Sequence, residues 1–237
     1  MANRLIMQMA LHDREALEPR LATVDLARHQ RIAAKGNTFE ALYFIDSGLA
    51  SVVAKRSSVD VEVLMLGEEG LAGTEYLLDC DVCSNDIVVQ VAGKARMIDA
   101  GYVRRAMDES PSLRQILMRY VSREIEQRDQ SSLAAATSTI PQRLARWLLM
   151  AQDRLGNAVD LTHERLADLL AIRRAGVTTT LNDFAAAGAV KLSRRSIRIV
   201  QRHLLLDIAG RAYQAPTKPE QGSGRALSAT RHECRPG

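Results

Sequence analysis

The stretch from Leu161 to Val200, LTHERLADLLAIRRAGVTTTLNDFAAAGAVKLSRRSIRIV, constrains this chain more tightly than any other. Leu161, Leu166, Leu169 and Leu170 fall at helical spacing, so a first short helix can bury one face. Thr162 suits its N-cap, with Glu164 in the first turn and Leu161 placed to staple against Leu166. The capping box is incomplete, because Arg165 stands where Glu or Gln would close it. Ala171-Ile172-Arg173 leaves a corner of the length a helix-turn-helix allows. A second helix then buries Val177, Leu181 and Phe184, leaving Arg173, Arg174, Gly176, Thr178, Thr179 and Asn182 to face outward. Gly188 suits the left-handed residue that ends it. Val190–Leu192, the basic turn Ser193-Arg194-Arg195-Ser196 and Ile197–Val200 read as strand, turn, strand. The whole describes a winged helix-turn-helix.

Charge points the same way. Between Leu161 and Arg211 nine basic residues stand against four acidic ones, a net of +5, while the entire chain carries only +4. The excess is therefore local, with Arg173 and Arg174 at the second helix and Arg194 and Arg195 on the wing, a pattern suited to neutralising phosphates. A solvated basic face on a small helical domain is the plainer alternative, and it explains neither the helix spacing nor the hairpin.

The residues Thr162, Leu166-Ala167, Leu169-Leu170, Arg173-Arg174 and Val177, followed by Ala187-Gly188-Ala189-Val190 into the wing, resemble the Crp/Fnr family of bacterial transcription regulators. The resemblance is strong from Leu161 to Val200 and fair over most of the remainder. It implies an α+β chain: an N-terminal double-stranded β-helix (jelly roll), a long dimerisation helix and a C-terminal winged helix-turn-helix. It also implies double-stranded DNA, a second copy of the chain and RNA polymerase as partners. In that family the second helix enters the major groove and the wing holds phosphates. Arg174 aligns with an arginine that reads a guanine in the nucleotide-binding members. Ala175 and Thr179 replace their base-reading glutamate and second arginine, so a different operator is expected.

The N-terminal half has β character. Ala41–Ile45, the turn residues Asp46-Ser47-Gly48 and Leu49–Val53 suggest a hairpin, and Val59–Leu66, Ile87–Val91 and Ala95–Ile98 add strands. Such short strands at close spacing suit a barrel or sandwich. Where nucleotide-binding relatives carry Gly-Glu-Leu and then Arg-Ser, this chain has Gly73-Thr74-Glu75 and then Ser84-Asn85. The phosphate-pairing arginine is absent and Asp79, Asp81 and Asp86 lie close by, so cyclic AMP is not expected here; a different small ligand or none remains. Cys80 and Cys83 form a C-x-x-C that reads as two ordinary loop thiols, with reversible oxidation as the alternative.

Ser110-Pro111 opens a long helix with an apolar stripe, Leu113, Ile116, Leu117, Tyr120, Val121 and Ile125, that weakens over Glu126–Ser132 and resumes through Leu133–Ala136; Leu113, Ile116, Leu117, Tyr120 and Val121 are assigned to dimerisation. Packing on its own β-domain is the alternative. Thr137–Pro141 breaks the helix at a hinge, and Leu144, Trp147, Leu148, Ala151 and Leu155 form the inner face of the next one. Past Arg211, prolines and glycines with few apolar residues suggest a disordered tail. The expected division is a sensor at 1–109, a connecting helix at 110–137, a reader at 138–211 and a tail at 212–237.

No apolar run approaches the ~18 residues of a membrane span, and three cysteines fit a reducing cytoplasm better than a disulfide framework. His12, His29, His163, His203 and His232 are scattered, and no catalytic or phosphate-loop motif is visible, so neither an enzyme nor any cofactor or metal is expected. A signalling adaptor, with a ligand-binding β-domain acting through a protein partner, is the competing class.

Overall fold

The computed structural model describes residues 3–56 and 59–215; most of the expected tail lies outside them. Two short helices, α1 (Arg4–Gln8) and α2 (Leu11–Leu17), open the chain. They stand where the sequence carries only a weak helical pattern. Asn3 starts α1: its Oδ1 accepts from Leu5 N and Ile6 N, and its Nδ2 donates to Ile45 O and Gly70 O.

The β-domain follows, with β1 (Ala22–Leu26), β2 (Arg31–Ala33), β3 (Ala41–Arg56), β4 (Val59–Leu66), β5 (Leu71–Ala72) and β6 (Asp86–Asp99). All pairings are antiparallel, in the order β1-β6-β3-β4, with β2 added to β6 and β5 to β3. Strands β3 and β6 run side by side from Ala41↔Asp99 to Val53↔Asp86. The expected hairpin at Asp46-Ser47-Gly48 does not form. The chain passes through a bulge instead, with register shifts from Ile45 to Ala50 and Gly48 at φ +86°. The turn-like residues are spent on that bulge: Asp46 Oδ1 accepts from Asn3 N and Arg96 Nε, and Ser47 Oγ accepts from Lys94 N. Opposite them Gly93 merges the two expected strands into one, since a Cβ there would lie 2.0 Å from Ser47 O.

Helix α3 (Ala100–Glu109) returns the chain, and α4 (Pro111–Thr137) follows, capped by Ser110 Oγ accepting from Leu113 N. The stripe assigned to dimerisation turns inward. Leu113, Leu117, Tyr120 and Val121 are buried in one core with α1, α3 and the β-domain, and Ile116 packs at its edge. Tyr120 Oη even accepts from Leu71 N at 3.1 Å. The stripe is consumed within its own subunit, because the β-domain leaves an apolar face that α4 covers together with α1, α2 and α3. Beyond Val121 the stripe emerges from that core: Ile125 and, two turns on, Leu133 are 53% and 56% exposed.

Helix α5 (Ile140–Leu155) starts at a full capping box between Thr139 and Gln142. The reader adds β7 (Ala158–Val159), α6 (His163–Leu170), α7 (Arg174–Ala186), β8 (Val190–Ser193), β9 (Ser196–Ile199) and α8 (Arg202–Ala209). Its core is continuous with the β-domain: Trp147, Leu148 and Leu166 pack in one cluster with Leu49, Val53, Met65 and Val88. Polar ties reinforce the contact. Trp147 Nε1 donates to Glu62 Oε1 at 2.8 Å, and Arg165 reaches Gln90 Oε1 and Asp60 Oδ2 at 2.9 and 3.1 Å. Among the described residues no helix is long and apolar enough to cross a membrane.

Candidate nucleic-acid interface

Thr162 caps α6, its Oγ1 accepting from Arg165 N at 3.1 Å. Leu166 and Leu169 bury one face, and Ala171 makes the corner at φ +50°. From there α7 buries Val177, Thr180, Leu181 and Phe184. Ala189 N closes its end on Phe184 O, with Gly188 at φ +77°, as the glycine's position predicts. Behind the corner β8 and β9 pair through Ser193↔Ser196, so Arg194 and Arg195 alone form the wing's tip. The sequence did not reveal β7, a two-residue strand that widens the wing sheet on the β9 side.

This framework presents Arg173 and Arg174 at the start of α7, exposed, with Thr179 and Asn182 exposed one and two turns on. Two of the expected outward residues are not free. Gly176 is half-buried, with Ile140 close enough that a Cβ would meet its Cδ1 at 3.4 Å. Thr178 Oγ1 is hydrogen-bonded to His163 Nδ1 at 3.1 Å, which ties α7 to α6. Burial and the nearby Arg174 hold His163 below the usual imidazole range, so that bond is kept with a neutral ring.

Charge sorts the same way. Of the nine cations between Leu161 and Arg211, two are engaged within the protein: Arg165 with Asp60, and Arg202 with Asp153. Arg173, Arg174, Lys191, Arg194, Arg195 and Arg198 are exposed and make no ion pair among the described residues. Arg195 has φ +69°, the left-handed region, at the apex of the two-residue turn. The interface therefore offers a helix N-terminus with two free guanidiniums beside a wing with several more. Both helix N-termini and free arginines suit phosphate oxygens, and an arginine on a groove-entering helix can also grip a guanine edge.

The β-domain pocket is a contrasting site. Gly73, at φ +98°, precedes the 3-10 turn Thr74–Leu78. Gly73, Thr74, Glu75 and Asn85 line a cavity of about 10 Å³, room for about one water. Ser84 is exposed, and its N donates to Glu75 Oε2 at 2.9 Å. Two pocket residues come from α4 and escaped the sequence reading: Glu124 and Arg128. Glu124 sits on the inward stripe, four residues after Tyr120, where a carboxylate at apolar spacing could have been noticed. Its Oε2 accepts from Thr74 Oγ1 at 2.5 Å, while Oε1 is buried without a partner. Burial raises this carboxyl to about 7.

The expected repulsion from Asp79, Asp81 and Asp86 is not how the pocket is built. Asp79 and Asp81 both face Arg104, and Asp86 is neutralised by Lys55 and Arg31. The carboxylates that face the cavity are Glu75 and Glu124. Cys80 and Cys83 are free thiols, one exposed and one buried, and burial pushes Cys83 up, away from a reactive thiolate.

Residues 142–208 match the Crp-like helix-turn-helix domain. Over 194 residues the chain is 25% identical to a CRP-like cAMP-activated global transcriptional regulator of Mycobacterium tuberculosis, covering 78% of this chain and 86% of that protein. It is 26% identical to the transcriptional regulator LdrP of Thermus thermophilus over 203 residues, covering 80% of this chain and 97% of LdrP. Among solved structures, FixK2 from Bradyrhizobium japonicum superposes with a TM-score of 0.70 at 14% identity, covering 83% of this chain and 99% of FixK2. A CRP-family transcriptional regulator from Thermus thermophilus gives 0.69 at 22% identity, covering 81% of this chain and all of that one. The two superpositions share the fold: an antiparallel β-domain, long helices and a helix-turn-helix.

Proposed function

We propose that the chain is a transcription regulator of the Crp/Fnr type and acts as a homodimer whose two α7 helices read an operator. One observation carries the reading: the cations at the start of α7 and on the wing are exposed and unpaired, whereas those behind them are engaged. Arg173 and Arg174 enter the major groove, with Arg174 on a guanine, and Thr179 and Asn182 reach adjacent bases or phosphates. Arg194 and Arg195 hold the backbone. Gly176 and Thr178 support the helix's seat instead of touching bases.

The dimer forms through the exposed stretch of α4 around Ile125 and Leu133 and places two half-sites about 34 Å apart. The division proposed is a sensor at 1–109, a connecting helix at 110–137 and a reader at 138–211. The protein works without catalysis in the cytoplasm, with RNA polymerase as its further partner.

The Mycobacterium tuberculosis relative is cAMP-activated; the proposal for this chain is a β-domain unsuited to cyclic AMP. Its pocket holds about 10 Å³, and of its charged lining, Glu75, Glu124 and Arg128, two are carboxyls and none is an arginine on the loop from Gly73 to Asn85. Losing a buried arginine–phosphate contact costs on the order of 2–5 kcal/mol, roughly 30- to 4,000-fold in affinity. Calorimetry with cyclic AMP should show no binding in the micromolar range.

The deciding experiment is selection from random DNA with the purified protein, followed by gel shift of the enriched sequences. A two-fold symmetric sequence with half-sites one helical turn apart is expected. Enrichment of nothing above the input pool would sink the reading and leave the adaptor class in its place.

A further inference from the structure

A second cavity, of about 300 Å³, lies outside the β-domain pocket, walled by α1, β4, α4, α5 and the segment Gln214–Ala215. That volume is at the lower end of small-molecule sites. Its floor is apolar, formed by Leu5, Leu64, Met65, Tyr120 and Met150.

The charged lining is four arginines, Arg4, Arg123, Arg146 and Arg154, and four acids, Glu69, Glu124, Glu126 and Asp153, but their commitments differ. Arg146 is 9% exposed, and among the described residues the only hydrogen bond of its side chain runs from Nη2 to Ser131 Oγ at 3.1 Å. A guanidinium has five N–H donors, so most of this one's capacity is unused. Burial pulls Arg146 down from its usual range, and the neighbouring Arg154 adds like-charge repulsion. Arg154 lies against Gly67, where a Cβ would come within 2.6 Å of its stem, and it pairs with Glu69 at 2.6 Å. Arg123 borders the cavity, exposed, with no ion pair among the described residues.

The acids of the lining are mostly committed elsewhere. Glu69 serves Arg154, Asp153 serves Arg202 and Tyr213, and Glu124 serves Thr74. Glu126 is exposed. Glu62, close enough to act on Arg146 and Arg154, is raised to about 7 by burial and already accepts from Ser51 and Trp147. Arg146 thus lines a chamber with an apolar floor and, among the described residues, has no ion-pair partner and keeps donors free for an anion.

We propose that this cavity is a binding site for a small organic anion, a carboxylate on an alkyl or aryl frame, with Arg146 and Arg123 holding the charge and the Leu64–Met150 floor holding the body. Its walls belong to the sensor strand β4, the connecting helix α4 and the reader helix α5 at once. An occupant therefore sets how the reader attaches to the sensor. That consequence rests on the DNA-reading proposal; the binding itself does not.

The test uses the full-length protein without DNA and octanoate as the probe. Binding is followed by calorimetry and by the fluorescence of Trp147, the chain's one tryptophan and the residue next to Arg146. One octanoate per chain should bind with a submillimolar Kd, and octan-1-ol should bind at least about tenfold more weakly, because it lacks the charge. Arg146→Gln should weaken octanoate by about tenfold or more, and Arg123→Glu, a surface change that leaves the fold alone, by roughly threefold or more. Glu75→Gln, in the other pocket, should leave it unchanged. Absence of saturable binding up to about 5 mM would overturn the proposal, as would equal affinity for octan-1-ol. So would an Arg123→Glu protein that binds octanoate like the parent, or a loss of binding in Glu75→Gln.

Discussion

The β-domain and the reader treat charge in opposite ways. In the β-domain Lys55 and Arg31 converge on Asp86, Arg96 lies between Glu18 and Asp46, and Arg104 faces Asp79 and Asp81 while stacking 3.6 Å above the Tyr76 ring. Arg4, Lys94 and these four are thus paired with carboxylates of the same domain, and Glu62 and Glu124 are carboxyls held inside. Between Leu161 and Arg202 of the reader the paired cations, Arg165 and Arg202, face inward, and the unpaired ones line α7 and the wing. Charges in the first region should govern stability and barely touch DNA. Charges in the second should do the reverse, because an exposed unpaired cation contributes little to folding and much to a polyanion.

The harshest way to probe that contrast is to place a new charge on the buried and on the exposed part of the α4 stripe. Leu117 is fully buried, so Leu117→Asp should unfold the subunit, at a cost of several kcal/mol. Ile125→Glu together with Leu133→Glu alters only exposed positions and should leave circular dichroism unchanged while light scattering shows a monomer. A folded monomer from Leu117→Asp would return the dimer seam to the inward stripe. A wild-type monomer at micromolar concentration would remove the seam altogether.

The buried carboxyls give the next largest effect. Glu124 and Glu62 are raised to about 7 from an ordinary value near 4.5, chiefly by burial. Between those values the native state keeps a proton that the unfolded state has lost. Stability therefore falls as pH rises from about 4.5 through about 7, and levels off above. Each group should contribute a slope on the order of 1 kcal/mol per pH unit. Denaturant titrations of Glu124→Gln across this range should show a flatter profile and a more stable protein at pH 8. An unchanged slope would mean that Glu124 is ionised in its niche.

Arg174→Ala belongs to the other region. It should cost about 1–3 kcal/mol per half-site and relax selection at one base position, with the unfolding midpoint unmoved. An operator unchanged in both affinity and base preference would take the recognition helix away from its N-terminal arginines.

How far the sequence carries depends on the range of the interaction that decides each feature. The reader's caps, corner and buried helix faces were legible because they are local: Thr162, Ala171 and Gly188 act on neighbours a few positions away, whereas β7 and the engagement of Gly176 and Thr178 depend on more distant partners. The strand Val59–Leu66 also matched, since its alternation needs no partner to be seen. The bulge at Gly48 was not legible, because it depends on Asn3, Lys94 and Arg96, far away in the chain. Nor was the direction of α4, whose stripe satisfies a partner helix and a β-domain equally well by spacing alone. The pocket was read from one side only. Its loop, Gly73 to Asn85, announced itself by position, but Glu124 and Arg128 reach it from a helix that the pattern assigned elsewhere.

Arg195→Ala carries the smallest expected effect and separates the two regions most cleanly. The residue sits at the wing's apex, exposed, at φ +69°, without an ion pair among the described residues. Its removal takes no contact from the core, so the unfolding midpoint should stay put. Arg195→Gly should raise that midpoint slightly, since glycine adopts a left-handed conformation without steric cost. On DNA both variants should bind more weakly by the same factor whatever the sequence, because a phosphate contact positions without specifying. Each phosphate lost removes about one counterion from the linkage. The plot of log affinity against log salt should therefore flatten by about one per subunit. A salt slope equal to the parent's would mean that the wing tip never reaches the backbone. A change confined to one base position would mean that Arg195 reads sequence, and the reader would then carry two kinds of specificity contact instead of one.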